Sequence, residues 1–126
     1  MTTPPAVQIG RLRRPRVGAR LAIPADLPAT LGCDAVGMPT GYGKIVMDRL
    51  PRIGCVFADS ARLWWIVPSG SDTGMDWPWV ARYSVGAHIP GRARLIHRPN
   101  EPGLYTPPIP LYVTLCHVAG VPPVDP

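Results

Sequence analysis

The chain has 126 residues, of which 46% are hydrophobic, and a formal net charge of +5. This length is that of one domain and can bury a core without disulfide bonds, and the hydrophobic fraction argues against wholesale disorder despite eighteen prolines and thirteen glycines. The first residues lack the apolar segment of a signal peptide, and no stretch approaches the ~20 apolar residues of a membrane span, so we expect a cytoplasmic protein without membrane contact.

The net charge is concentrated at the N-terminus. Residues 1–20 carry five arginines and no acidic residue, whereas residues 21–126 carry eight basic and eight acidic residues. Three prolines in the first twenty residues block helix propagation. We therefore predict a flexible arm over residues 1–20, a single domain over 21–121 and a Pro-rich tail over 122–126. The predicted nucleic-acid-binding residues are those of the arm: Arg11, Arg13, Arg14, Arg16 and Arg20.

The first half of the domain is predicted to be coil followed by a helix. Residues 21–39 place apolar side chains between repeated glycines and prolines, which favours ordered coil with one possible helical turn over 27–31. Apolar residues then recur at helical spacing over 41–50, with Thr40 as the expected N-cap and Pro51 as the stop.

The middle of the chain is predicted to be a sheet. Two apolar runs over 53–58 and 63–67, separated by Asp-Ser-Ala-Arg, predict a β-hairpin. Both runs are nearly continuously apolar, which is typical of strands covered on both faces. Polar and apolar residues alternate over 81–89 and 92–98, which predicts two further antiparallel strands, each with one face exposed to solvent.

The last element is predicted to be a helix over 108–119, with Thr106 as N-cap and Gly120 as the stop. A strand is the competing interpretation, because bulky residues also alternate there. The fold class predicted from these elements is α+β: a small antiparallel sheet of three to five strands, two packed helices and an extended basic N-terminal arm.

The aromatic residues of the hairpin and the following loop have two interpretations. Trp64 and Trp65 are adjacent, so on a strand they point to opposite faces, and Trp77 and Trp79 follow in a Trp-Pro-Trp motif. Most such clusters are core. The alternative is an exposed aromatic surface, formed by some of these four tryptophans, on which nucleic-acid bases stack.

Two glycine-rich segments resemble ligand-binding loops but fit poorly. Residues 37–44 depart from the phosphate-binding G-x-x-x-x-G-K-[ST] motif in spacing and in Ile45, and glycines that relieve crowding at a helix start are the better account. Residues 68–74 contain the Ser, Gly and Asp of an anion-binding nest or of an ordinary hairpin connection. The nearby Asp59, Asp72 and Asp76 would suit a hard cation if the fold brought them together.

No catalytic or metal site is predicted. The histidines and cysteines lack the short paired spacings of a zinc site, and no nucleophile has a recognisable local signature. We therefore expect no cofactor, and Cys33, Cys55 and Cys116 are expected to be free thiols in a reducing compartment.

Four segments carry a resemblance to known proteins: RIGCVFADSARLWWIVPSGSD, WPWVARYSVGAH, RLIHRP and YTPPIPLY. In this order they resemble small uncharacterised proteins of high-GC bacteria that share Trp-Trp-x-x-Pro and Tyr-Thr-Pro-Pro motifs, over about residues 36–120. This resemblance implies no activity. The hairpin followed by W-W-x-V-P is also similar to segments of bifunctional primase-polymerase relatives. Such a polymerase site requires a spaced acidic pair on a strand and a following His, which this chain lacks, so the resemblance implies lost catalysis.

The sequence thus favours a small non-catalytic protein that is associated with DNA or RNA, or is regulatory, and whose arm supplies non-specific affinity. The alternative is a protein-interaction module that binds another protein, or a second copy of itself, through aromatic and Pro-rich surfaces. An enzyme is the third and least favoured class.

Overall fold

The computed structural model describes residues 19–99 and 103–123 and confirms the α+β fold class. The helices are α1 (Thr40–Arg49) and α2 (Pro108–Ala119), and a short 3-10 turn lies at Val85–Ala87. The strands are β1 (Ala19–Arg20), β2 (Asp34–Pro39), β3 (Val56–Ala58), β4 (Arg62–Val67), β5 (Arg82–Ser84), β6 (His88–Ile89) and β7 (Arg94–His97). Five strands form one antiparallel sheet in the order β5-β2-β4-β3-β7, and β1 pairs with β6 in a separate ribbon.

The sheet lies between two apolar layers. Trp65 faces the two helices and shares a buried cluster with Leu111 and Leu115 of α2. Trp64 faces the opposite layer, where the chain after β1 supplies Leu21. Both tryptophan side chains are fully buried, and because they belong to different clusters, the prediction that they lie on opposite faces of one strand is confirmed. The predicted hairpin of β3 and β4 is also confirmed.

The prediction of coil throughout residues 21–39 is wrong at its end, because Asp34–Pro39 forms β2, an inner strand of the sheet. This strand is hard to recognise in the sequence because it contains Gly37. A Cβ atom at this position would stand 2.6 Å from the Trp64 ring. The glycine is needed for packing and does not mark a turn. No helical turn forms over 27–31, where the chain makes tight turns instead.

Helix α1 lies where the sequence predicted it, but Thr40 is not its cap. The N-cap residue is Pro39, no side chain caps the helix, and the Thr40 N–H donates to the Ala61 carbonyl of the hairpin at 3.1 Å. Gly43 lies against Leu63, where a Cβ atom would clash. Gly43 therefore relieves crowding at the helix start, as the sequence indicated, whereas Gly41 lies on open surface.

The predicted strand over 81–89 is divided between two sheets. Its first part is β5, at one edge of the five-stranded sheet, and its last part is β6, in the ribbon with β1. Gly86, with φ +70°, turns the chain between them. The second predicted strand, over 92–98, contains β7, which forms the opposite edge of the main sheet.

The C-terminal segment is a helix, as favoured, and ends as predicted. Gly120 adopts the left-handed conformation with φ +72°, and the Val121 N–H then donates to the Cys116 carbonyl at 2.9 Å. This arrangement satisfies a carbonyl that the helix end would leave without a partner.

Thr106 has a different role from the predicted cap of α2. Its buried Oγ1 accepts a hydrogen bond from the Gly54 N–H at 2.9 Å, and its own N–H donates to the Ile66 carbonyl at 2.9 Å. The Cys55 N–H donates to the Leu104 carbonyl at 3.0 Å. The chain before α2 therefore lies against β4 and the residues that lead into β3, and is held there through backbone groups.

We predict that Gly54→Ala is strongly destabilising. A Cβ atom at this position would overlap the Leu104 carbonyl oxygen and stand 2.5 Å from the Tyr105 carbonyl carbon. Because these are backbone atoms, they cannot rotate away, and we expect a loss of about 3 kcal/mol or more of unfolding free energy. Urea unfolding measures it. The matched control is Gly41→Ala on open helix surface, which should gain up to about 1 kcal/mol. Equal stability of the two variants would contradict the prediction.

Candidate nucleic-acid interface

The predicted basic arm meets the folded domain at β1. Arg11, Arg13, Arg14 and Arg16 lie outside the described residues. Arg20 is exposed on β1, opposite His88 of β6. The next residue, Leu21, is buried and its N–H donates to the Ala87 carbonyl at 2.9 Å. Arg20 is therefore anchored to the domain immediately beside the segment that carries the other four arginines.

Two of the four tryptophans proposed for an aromatic surface are in the core, which corrects that part of the expectation. Trp64 and Trp65 have no exposed area, because helices cover one face of β4 and coil covers the other. The Trp64 Nε1–H donates to Asp59 Oδ2 at 2.9 Å, whereas the buried Trp65 Nε1–H has no hydrogen-bond partner. Neither ring is available for stacking on a ligand.

The other two tryptophans differ in exposure. Trp77 is half-buried, with its ring edge-on to Tyr112 at a centroid distance of 5.4 Å and tilted against Tyr83 at 6.2 Å. Trp79 is 77% exposed, and Val85, in the 3-10 turn, is 72% exposed. The aromatic surface predicted from the sequence is thus reduced to Trp79, with the Trp77 ring largely occupied by the protein's own tyrosines.

The loop over residues 68–74 is occupied by a carboxylate of the protein itself. Asp34, almost fully buried at the start of β2, accepts hydrogen bonds from the Gly70 N–H at 2.9 Å, the Tyr83 hydroxyl at 2.6 Å and the Gly86 N–H at 2.8 Å. The Ser71 hydroxyl donates to the Pro68 carbonyl. The amide that an external anion would use at Gly70 therefore binds Asp34.

These hydrogen bonds determine the ionisation of both side chains. Burial raises the pKa of the Asp34 carboxyl, but the hydrogen bonds from Tyr83, Gly86 and Gly70 outweigh burial, so the pKa lies below its ordinary value. Burial and the bond to Asp34 raise the pKa of Tyr83 far above its ordinary value. Asp34 is thus an ionised structural residue, which the sequence analysis missed. The signal for it was an acid within the apolar run Cys-Asp-Ala-Val.

The three aspartates considered for a cation do not form a site. Asp59 accepts hydrogen bonds from the Ala61 and Arg62 N–H groups at 2.8 and 2.7 Å, in addition to that from Trp64, and so closes the hairpin turn. Within residues 19–99 and 103–123, no three His, Cys, Asp or Glu side chains are grouped as metal ligands would be.

The three cysteines are free and buried, as predicted. Burial raises the pKa of each thiol: Cys33, Cys55 and Cys116. A raised pKa and burial are the opposite of what a nucleophilic cysteine requires.

Comparisons with protein-family models, with curated proteins and with solved structures gave no match to this chain. No helix in the described part of the chain is long and apolar enough to cross a membrane.

We predict that Asp34→Asn destabilises the fold and flattens its acid dependence. The carboxylate of the folded protein has a lowered pKa. Its contribution to the free energy of unfolding is therefore complete above the unfolded-state pKa of about 3.9, and it is lost as the pH falls through the pKa of the folded state. Removing the charge should cost about 1.5–3 kcal/mol at neutral pH and much less in acid. Urea unfolding from pH 7 to pH 2 measures this. Asp48→Asn, on the exposed side of α1, is the control; an equal loss in both variants would contradict the prediction.

Proposed function

We propose that this protein is a small non-catalytic nucleic-acid-associated or regulatory protein whose arginine-rich N-terminal segment supplies its affinity. The observation that supports this most is the distribution of charge: five arginines and no acid in the first twenty residues, and a balanced remainder. Arginines in such a segment bind phosphates and release counterions, which favours association with any sequence of bases.

The rest of the chain does not oppose this charge. Residues 21–126 carry eight basic and eight acidic residues. Of these acids, Asp34 is buried, so it contributes little to the potential outside the protein. A polyanion held by the arm would therefore meet no net negative formal charge in the remainder of the chain.

The cysteines support the non-catalytic part of this proposal. The buried thiols, with pKa values raised by burial, are poor nucleophiles.

A protein-interaction module is the second candidate, and the exposed Trp79 and Val85 favour it. Tryptophan is enriched at the centres of protein interfaces, and both side chains are more than two-thirds exposed. The two candidates differ in their response to salt, because phosphate contacts release counterions and apolar contacts do not.

We predict that binding to duplex DNA weakens steeply with salt and depends on the arm. Five arginines can neutralise up to about five phosphates, which gives a slope of log affinity against log salt of up to about −4.5. Replacing Arg11, Arg13, Arg14 and Arg16 by Gln should remove most of that slope. Fluorescence anisotropy with a labelled duplex at several salt concentrations measures it.

The control replaces four arginines spread over the domain, Arg49, Arg62, Arg82 and Arg92, by Gln, so that both variants have the same net charge. The arm variant should lose far more affinity than this control. If the intact protein does not bind at low salt, the nucleic-acid proposal is wrong; if both variants lose the same affinity, the arm is not the source of binding.

We predict that Trp79→Ala weakens binding to single-stranded nucleic acid without changing stability. The side chain is 77% exposed, so its removal leaves no cavity. A base stacked on it would contribute about 1–3 kcal/mol, which corresponds to a loss of about 5- to 150-fold in affinity. Val85→Ala, equally exposed, is the control. Unchanged affinity in Trp79→Ala would assign this residue to the protein-interaction candidate instead.

A further inference from the structure

A groove of about 560 Å³ lies where the end of α1, the end of β7 and the start of α2 meet. Two arginines and a histidine line it: Arg52 follows α1, His97 ends β7 and Arg98 follows it. No local pattern in the sequence marks these three residues as a site. Arg52 is far in sequence from the adjacent His97 and Arg98, so only the fold brings it beside them.

The His97 ring is held in one orientation. Its Nδ1 lies 2.8 Å from the Gly54 carbonyl oxygen. A carbonyl can only accept, so Nδ1 carries the hydrogen and Nε2 is the nitrogen left for a ligand. Gly54 is itself fixed through its N–H to the buried Thr106. The ring is therefore placed by the core and not by a mobile surface contact.

The two arginine side chains differ in how far other residues restrain them. Arg98 forms an ion pair with Asp26, which restrains its guanidinium beside the groove. Arg52 is exposed and makes no ion pair with another described residue. Asp26 is neutralised by Arg98, so the groove has an unbalanced positive charge from Arg52.

The rest of the lining is apolar and stiff. Leu50, Ile53 and Tyr105 contribute apolar surface, and the Tyr105 hydroxyl is already used in bonds to Leu31 and Gly32. Three further lining residues are prolines, whose fixed φ angles limit the ways in which the walls can relax. These side chains and the prolines therefore give the groove one apolar wall beside its polar groups.

We propose that this groove binds a phosphate monoester attached to a compact apolar or aromatic body. A monoester has three terminal oxygens and a charge near −2 at neutral pH. The guanidiniums of Arg52 and Arg98 can donate to these oxygens from two directions beside the fixed His97 ring, whereas a carboxylate has only two oxygens to offer. The proposal does not depend on the arm. Its ligand is either the phosphorylated end of a nucleic-acid strand or a small organic phosphate.

Titration of the full chain with phenyl phosphate, followed by two-dimensional amide and histidine-ring NMR, tests the proposal. We expect saturable shifts at residues 50–53 and 97–99 below about 10 mM ligand, and weaker binding of benzoate. Arg52→Gln should weaken phenyl phosphate binding by about 10-fold or more, since it removes charge-assisted bonds without disturbing the core. Arg92→Gln, which removes an exposed charge outside the groove, should change affinity less than about twofold.

Two oligonucleotides distinguish the two ligand sources. If a 5′-phosphorylated oligonucleotide binds more tightly than its 5′-hydroxyl twin, and Arg52→Gln abolishes the difference, the ligand is a strand end. If the twins bind equally while phenyl phosphate still binds in the groove, the ligand is a small organic phosphate. The proposal is overturned if phenyl phosphate gives no saturable shift, or if Arg52→Gln and Arg92→Gln lose the same affinity.

Discussion

The complete burial of β4 on both faces is the constraint on which the other features depend. Adjacent tryptophans on one strand bring a large apolar area to each side of the sheet, and each area needs its own cover. The two helices cover Trp65, and the coil after β1, with Leu104, covers Trp64. On β2, the residue opposite Trp64 is Gly37, because the Trp64 ring occupies the space that a side chain would need there.

The segment before α2 links this core to the surface. Its backbone hydrogen bonds to Cys55 and Ile66 hold it against β4 and the residues that lead into β3. Glycine is the only residue type that allows this close approach at position 54. The same Gly54 presents its carbonyl to His97 at the sheet edge. The His97 side chain is therefore oriented by Gly54, which is held by the buried Thr106. This arrangement gives the groove a preformed shape.

The sequence predicted those parts of the fold whose local pattern agrees with their structure. The β3–β4 hairpin carries two apolar runs, α1 and α2 carry apolar residues at helical spacing, and each of these elements is followed closely by Pro or Gly. Strand β2 could not be predicted, because Gly37 and Pro39 mimic a loop, and the need for Gly37 is visible only when Trp64 is placed opposite it. For the same reason the groove was missed: Arg52 and His97 meet only through pairings that no local pattern encodes.

Any recognition of anions by this domain would fall on side chains, because the backbone donors in the two segments considered for anion binding are already bonded or absent. The Gly70 amide in the 68–74 loop is bound to Asp34. At the start of α2, Pro108 and Pro110 have no N–H, so the helix end offers few of the amides that bind anions elsewhere. Arginines carry both of the proposed modes of binding. In the N-terminal segment they would supply affinity that salt removes, whereas beside the fixed His97 ring they would distinguish a terminal monoester from the diesters of a strand.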